Sequence, residues 1–355
     1  KDGTKMFLSY HNLVQKNDAS GDDDYIAEYT LSTPFDISTA TYAGDSERCN
    51  TTDPDHDGTV AGDNATTALT IAFKFSDDGK KIFTAQRGMN TSPGNSFVNR
   101  YDLTTPFDVS TCTYVSDVDV DTAALQNGTN AGERLSTNDR NNLQGIEITN
   151  DGTKLFVTMN DATKDYQNIK QYNFGTPYDL STITLASTAI ILDQNNPFGM
   201  AFSEDGKKLF QSFRGTDTVV QFSLDVAFDL SSSTKDGEIS LKSIDSTLND
   251  LIGITFSSNG SKLFAAHRGN TFTERVFEFS LGCAFALIEG SCSSITENKD
   301  RTGMAIAQIE IAKRTIDNSV DSALNRLKWI RRNKDKQNLT NFNIDINFTN
   351  QKLAS

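Results

Sequence analysis

One pattern occurs five times along these 355 residues: an acidic residue or Asn, then Gly, then a Lys two positions on, then an apolar residue and Phe. The copies are Asp2-Gly3-Thr4-Lys5-Met6-Phe7, Asp78-Gly79-Lys80-Lys81-Ile82-Phe83, Asp151-Gly152-Thr153-Lys154-Leu155-Phe156, Asp205-Gly206-Lys207-Lys208-Leu209-Phe210 and Asn259-Gly260-Ser261-Lys262-Leu263-Phe264. Their glycines are spaced by 76, 73, 54 and 54 residues. A repeat of this length means one supersecondary unit used over and over, each copy burying its apolar face on the next. Asp-Gly or Asn-Gly between two apolar runs marks a hairpin, because the turn needs a positive φ that Gly tolerates. Seven residues before the Gly of each complete copy stands a small residue, Ala72, Gly145, Gly199 or Gly253, which suits a crowded first strand.

A third strand follows the hairpin, alternating polar and apolar residues, as in Tyr25-Ile26-Ala27-Glu28-Tyr29, Ile169-Lys170-Gln171-Tyr172 and Val276-Phe277-Glu278-Phe279. A second marker comes next: Pro34-Phe35-Asp36, Pro106-Phe107-Asp108 and Pro177-Tyr178-Asp179, decaying to Ala227-Phe228-Asp229 and Ala284-Phe285-Ala286. Pro presets the turn and the Asp side chain caps the backbone beyond it, so a fourth strand is expected. Four short antiparallel strands per unit, with no helical period between them, describe an all-β β-propeller. We place its repeats near 1–66, 67–141, 142–196, 197–250 and 251–293. The first copy opens at the hairpin turn and lacks its first strand, which leads us to expect further chain upstream and a ring of six or seven blades.

From about Ser294 the period changes to 3.6, with Ile309, Ala312, Ile316, Val320, Ala323, Leu327 and Ile330 on one stripe. The spacing predicts an amphipathic helix over 294–336, its start near Ile295 marked by the capping-box pair Ser294 and Glu297. An Asn-rich linker or isolated strand over 337–355 follows. Charge separates the two parts: the whole chain carries −14, residues 296–355 carry +4, and residues 1–295 therefore carry −18. So acidic a body repels phosphate backbones, and we expect no nucleic-acid partner. The cluster Arg326, Lys328, Arg331, Arg332, Lys334 and Lys336 beside Trp329 is either a solvated face packed on the acidic propeller or a membrane-proximal or pore-threading segment.

The tail carries a resemblance. Ser294-Ile-Thr-Glu-Asn-Lys-Asp-Arg301, with Ala323-Leu-Asn-Arg-Leu-Lys-Trp-Ile-Arg-Arg-Asn-Lys-Asp-Lys-Gln-Asn-Leu-Thr340, resembles the junction that precedes the outer-membrane barrel in autotransporter-type proteins of marine alphaproteobacteria, whose passengers carry similar YVTN-like DGxKLF and STPFD repeats. The resemblance implies a passenger exported to the cell surface or secreted, with the helix leading into a covalent C-terminal barrel. No barrel strands follow Ser355, and no catalytic motif comes with the resemblance.

Candidate sites are few. In propellers the loop between the second and third strands opens on the ligand-binding face. The residues leaving the second strand are His11, Arg87, Asn160, Arg214, and His267 with Arg268. Guanidinium forks around one mouth would suit a carboxylate or sulfate; the alternative is that each Arg pairs with an Asp of the next blade. Lys74 and Glu147, at equivalent first-strand positions, would line the channel or pair with neighbouring blades. Asp53, Asp55 and Asp57, followed by Gly58, match the first half of a calcium loop, with Asp63 one residue short of the expected bidentate acid. Calcium is the only cofactor this suggests. Cys283 and Cys292 close a loop of about ten residues and are expected to form a disulfide, which would imply an oxidising compartment. Without a Ser elbow, HExxH or phosphate loop, the chain reads as a non-catalytic surface binding module for an anionic glycan, an organic acid or a protein partner. The competing readings are a lactonase-like hydrolase using the central channel and a purely structural spacer.

Overall fold

The computed structural model describes residues 2–11, 24–51, 68–88, 96–120, 142–160, 167–268, 275–288, 295–297 and 303–304. They belong to a compact unit spanning Lys1–Ile306. Each repeat is one antiparallel sheet. Blade 1 holds β1 (Lys5–His11), β2 (Asp24–Leu31), β3 (Ala40–Tyr42) and β4 (Arg48–Asn50), the last two both pairing with β2. Blade 2 runs β5 (Ala68–Phe75), β6 (Lys81–Gly88), β7 (Ser96–Leu103), β8 (Cys112–Asp119). Blade 3 runs β9 (Asn142–Ile148), β10 (Lys154–Asn160), β11 (Asn168–Phe174), β12 (Ile183–Ile191). Blade 4 runs β13 (Pro197–Phe202), β14 (Lys208–Phe213), β15 (Thr218–Leu224), β16 (Ser233–Ser240). Blade 5 holds β17 (Leu251–Phe256), β18 (Lys262–His267) and β19 (Arg275–Leu281), with β20 (Ile295–Glu297) and β21 (Gly303–Met304) both on β19.

The two sequence markers of each blade meet. The hairpin glycines adopt φ of 67–75° and the marker aromatics Phe35, Phe107, Tyr178, Phe228 and Phe285 adopt φ of 51–63°. Each aromatic N–H donates to the carbonyl of its own hairpin glycine, as Phe228 does to Gly206 at 2.9 Å. The ring then covers that glycine so closely that a Cβ on Gly206 would lie 2.3 Å from it. The marker Asp caps the turn that follows; Asp36 accepts from the Ser38 N–H at 3.1 Å and the Ser38 hydroxyl at 2.6 Å.

The same markers join neighbouring blades. Lys5 donates to the Phe107 carbonyl of blade 2 at 2.9 Å, and Lys154 to the Phe228 carbonyl of blade 4 at 2.7 Å. Between blades 2 and 3 Arg100 does this work, reaching the Tyr178 carbonyl at 3.3 Å. On the adjacent strand Gln171 accepts the Leu230 N–H and Gln221 the Leu287 N–H. Lys262 of blade 5 donates to the Phe35 carbonyl of blade 1 at 2.6 Å, and Glu278 accepts the Ile37 N–H. The ring therefore closes on itself with five blades, not the six or seven expected. The innermost strands β5, β9, β13 and β17 crowd the axis: a Cβ on Gly145 would stand 2.6 Å from the Phe198 carbonyl, and one on Gly199 2.8 Å from the Gly253 Cα. Small residues at this position are what so narrow a ring demands.

The structure corrects one further expectation and adds a disulfide the sequence reading did not name. Ile295–Glu297, placed by its capping-box spacing at a helix start, is a strand on the outer edge of β19, with Leu281 opposite Ile295. Gly303–Met304, within the same span, is likewise a strand on β19; the other residues of 298–336 and the linker over 337–355 lie outside the described residues. Cys49 and Cys112, separated by 63 residues, form a disulfide with Cα atoms 5.7 Å apart, tying the outer strands of blades 1 and 2. Cys283 is also disulfide-bonded; Cys292, the partner expected for it, lies outside the described residues.

Candidate functional site

The second strand of every blade ends on the same face of the ring, and the structure arranges its exit residues by a local rule. Arg214 and Arg268 follow β14 and β18, and their backbone N–H groups donate to the Asn196 carbonyl at 2.9 Å and the Asp250 carbonyl at 3.0 Å. Asn196 and Asp250 stand just before β13 and β17 with φ of 58° and 61°. Asn and Asp tolerate this left-handed conformation better than other side chains, so the entry to the first strand and the exit from the second are clamped together.

The Asp250 side chain gathers the charged groups of blades 4 and 5. Arg214 donates to it at 2.8 Å, while its guanidinium lies 5.7 Å from the centre of the Phe198 ring. Arg214 holds the Asp250 carboxyl below the usual carboxylate range, with Arg268 and His267 adding to the effect and burial opposing it. Arg268 is half-buried, and among the described residues no carboxylate lies within ion-pair distance of it. Among the described residues Asp250 is thus paired with Arg214 and feels the charge of Arg268 without bonding it.

The other expected residues are dispersed. Asn160 donates from Nδ2 to Asn196 Oδ1 at 3.4 Å, bridging blades 3 and 4 at the same face. His11 closes β1 opposite Asp24, and Arg87 pairs in register with Leu69 and Ser96; the side chains of both lie outside the described residues. His267 is a core residue, only 6% exposed. Its Nδ1 accepts the Asn249 N–H at 2.8 Å, which assigns the ring proton to Nε2, and its edge packs on Phe277. Asp53, Asp55, Asp57 and Asp63 lie outside the described residues, so the calcium loop has no structural description. Lys74 and Glu147 do pair, at 2.7 Å, across the innermost strands of blades 2 and 3. Burial raises the Glu147 pKa, an effect Lys74 offsets only in part.

Sequence reasoning missed Asn196 and Asp250. Their signal was an Asn or Asp three residues ahead of the small residue of the first strand, in Asn196-Pro197-Phe198-Gly199 and Asp250-Leu251-Ile252-Gly253.

No family model matches the chain, and no curated protein matches it in sequence. Similar solved structures include a provisionally assigned 6-phosphogluconolactonase of Bacteroides fragilis, with 13% identity and a TM-score of 0.47 over 83% of this chain and 81% of that one. The periplasmic gluconolactonase PpgL of Pseudomonas aeruginosa gives 12% identity and 0.43 over 83% and 68%. The beta-propeller domain of Cps50 (Swd1) from Myceliophteria thermophila gives 11% identity and 0.39 over 82% and 89%. At these values no activity is carried across.

Proposed function

We propose that this propeller is a non-catalytic binding module that takes an acidic ligand, an anionic glycan or an organic acid, where β10, β14 and β18 end. The observation that carries the reading is the Arg268 guanidinium, which among the described residues has no carboxylate within ion-pair distance, beside the Arg214–Asp250 pair. A fork of this kind recognises a planar carboxylate through two parallel hydrogen bonds. Asn160 and Asn196 supply amides to hydroxyl groups next to it. Arg214, already engaged, acts as scaffold and keeps Asp250 ionised. A hydrolytic reading would call on a base at this face, and His267 spends Nδ1 on the Asn249 backbone and is packed away against Phe277.

Display outside the cytoplasm, at the cell surface or in secreted form, belongs to the same reading, with the barrel implied by the tail as its anchor. The Cys49–Cys112 disulfide supports it, since such bonds persist in oxidising compartments. Calorimetric titration with oligogalacturonate and with a neutral oligosaccharide of equal length tests the ligand. Arg268→Ala should weaken acidic-oligomer binding at least tenfold, the order expected for losing a charge-assisted pair. Equal binding of both oligomers, or an unchanged affinity in the variant, would reject the proposal.

A further inference from the structure

The clasp between the entry to β17 and the exit from β18 hangs on three consecutive backbone groups. The Asn249 N–H donates to Nδ1 of His267 at 2.8 Å, the Asp250 carbonyl accepts the Arg268 N–H at 3.0 Å, and the Leu251 N–H donates to Asp217 Oδ1 at 2.9 Å. The Asp250 carboxylate meanwhile holds Arg214, and the Asn249 side chain accepts from Lys242 Nζ at 3.0 Å. Of the three acceptors, the imidazole belongs to the one side-chain type that ordinarily changes charge between pH 5 and 8. At the same strand position blades 2, 3 and 4 carry Gln86, Met159 and Phe213, opposite Thr70, Leu143 and Pro197 as His267 is opposite Leu251. Blade 4 makes the same exit bond, from the Arg214 N–H to the Asn196 carbonyl, with Phe213 in the place of His267.

Protonation cannot leave the bond to Asn249 intact. A neutral ring accepts at one nitrogen and donates at the other, whereas an imidazolium donates at both, so a protonated Nδ1 would point its hydrogen at the Asn249 N–H. Burial opposes the charge as well, since His267 is 6% exposed and packs its edge on Phe277. The charged groups about the ring are Arg268 beside it in the chain, Arg275 opposite it on β19, Lys242 at Asn249, and the Asp250 and Asp217 carboxylates, which bond Arg214 and Lys242. The carboxylates favour an imidazolium; the four cations disfavour it and outnumber them. The protonated ring therefore goes with the opened clasp.

We propose that His267 is a pH latch on the clasp between blades 4 and 5: in mildly acidic surroundings it takes up a proton, lets go of Asn249 and frees the Asn249–Asp250 entry that positions Arg214 and Arg268. The sign follows from where the proton binds. Protons are taken up on opening, so the clasp is held fully above about pH 6.5, the ordinary value of an exposed imidazole, and opens progressively as pH falls below it. The opened fraction then rises about tenfold between about pH 7.5 and about pH 5.5. The latch lies on the face of the proposed acid site but rests on the clasp bonds alone, and it stands whether or not that face binds an acid.

The test is backbone amide exchange of the full chain over that pH range, each rate corrected for the intrinsic pH dependence of exchange. Protection of the Asn249 and Arg268 amides should fall about tenfold on acidification. Protection of the Arg214 amide, in the matching clasp of blade 4, should not change. His267→Phe, which copies blade 4, should lower Asn249 protection already at neutral pH and remove its pH dependence. Constant protection at Asn249, an equal loss at Arg214, or the same pH-dependent loss in His267→Phe would overturn the proposal. Should the variant fail to fold, the contrast between Asn249 and Arg214 within the parent protein decides alone.

Discussion

The hairpin glycines do two jobs, and each can be measured. At φ near +67° Gly206 occupies backbone that an L side chain enters at a cost, and the Phe228 ring fills the space a Cβ would need. Gly206→Ala should therefore destabilise by about 2 kcal/mol, strain and displacement of the ring together, read as a lower urea midpoint with unchanged slope. The acids beside these turns give the molecule a pH dependence. The Ser76 hydroxyl lowers the pKa of Asp78, the Ser203 hydroxyl that of Asp205 and the Ser231 hydroxyl that of Asp229, each helped by a backbone N–H. A carboxyl held below its unfolded value stabilises fully above that value, near pH 4, and loses the effect as pH falls through the folded pKa. Asn259 makes the same pair of bonds with no charge to titrate, accepting from Ser257 and Ser261. Asp78→Asn with Asp205→Asn should accordingly flatten the acid limb of the stability curve below pH 4 while changing stability little at pH 7. An unaltered limb would mean that other carboxylates set it.

At the level of strands the decisive element is the innermost one, where a buried charge is tolerated only because its partner sits on the next blade. Glu147 is 8% exposed and its carboxylate meets Lys74 at 2.7 Å. Lys74→Met leaves that carboxylate buried without a partner and should cost about 3 kcal/mol at neutral pH. The loss should shrink on acidification, because a folded pKa raised above the unfolded one means protons are taken up on folding and stability grows as pH falls through it. Glu147→Gln should be milder, since the Lys74 head is 36% exposed and can return to water. Strands of this kind were legible in the sequence wherever a local marker bounded them. Gly-centred turns located nine strands, alternation located the third strand of each blade, and the marker Asp located the capped turn of blades 1 to 4. Ile295–Glu297 was not legible, because three residues hold too little pattern to outweigh an accidental capping-box spacing. His267 reads in the sequence as a candidate ligand residue, because one position cannot show that a backbone N–H waits to fill its ring nitrogen. Arg214 was visible as an exit residue, but Asp250 lies 36 positions further on, and only the clamp between blades makes them a pair.

For the whole ring, blade number follows from contacts that no local pattern records. Lys262 and Phe35 are 227 residues apart, and the bonds between them look the same in sequence as those between any two blades. What distinguishes five blades is the width of the axis, set by Ala72, Gly145, Gly199 and Gly253. The closed ring is then held unevenly. Blade 5 meets blade 1 through the hydrogen bonds of Lys262 to the Phe35 carbonyl and of the Ile37 N–H to Glu278, whereas blades 1 and 2 are tied covalently at their outer strands by Cys49–Cys112. In the chain-entropy model a bridge across 63 residues is worth about 4 kcal/mol, and measured values commonly fall between about 2 and 4. Replacing both cysteines by serine should lower stability by that amount and should speed amide exchange first in β2, β4 and β8, the strands nearest the lost tie. Exchange that accelerates uniformly around the ring would show instead that the propeller opens as one cooperative unit, with the bridge acting on the unfolded chain alone. A midpoint equal to that of the parent protein would mean that the contacts between blades 1 and 2 are sufficient without it.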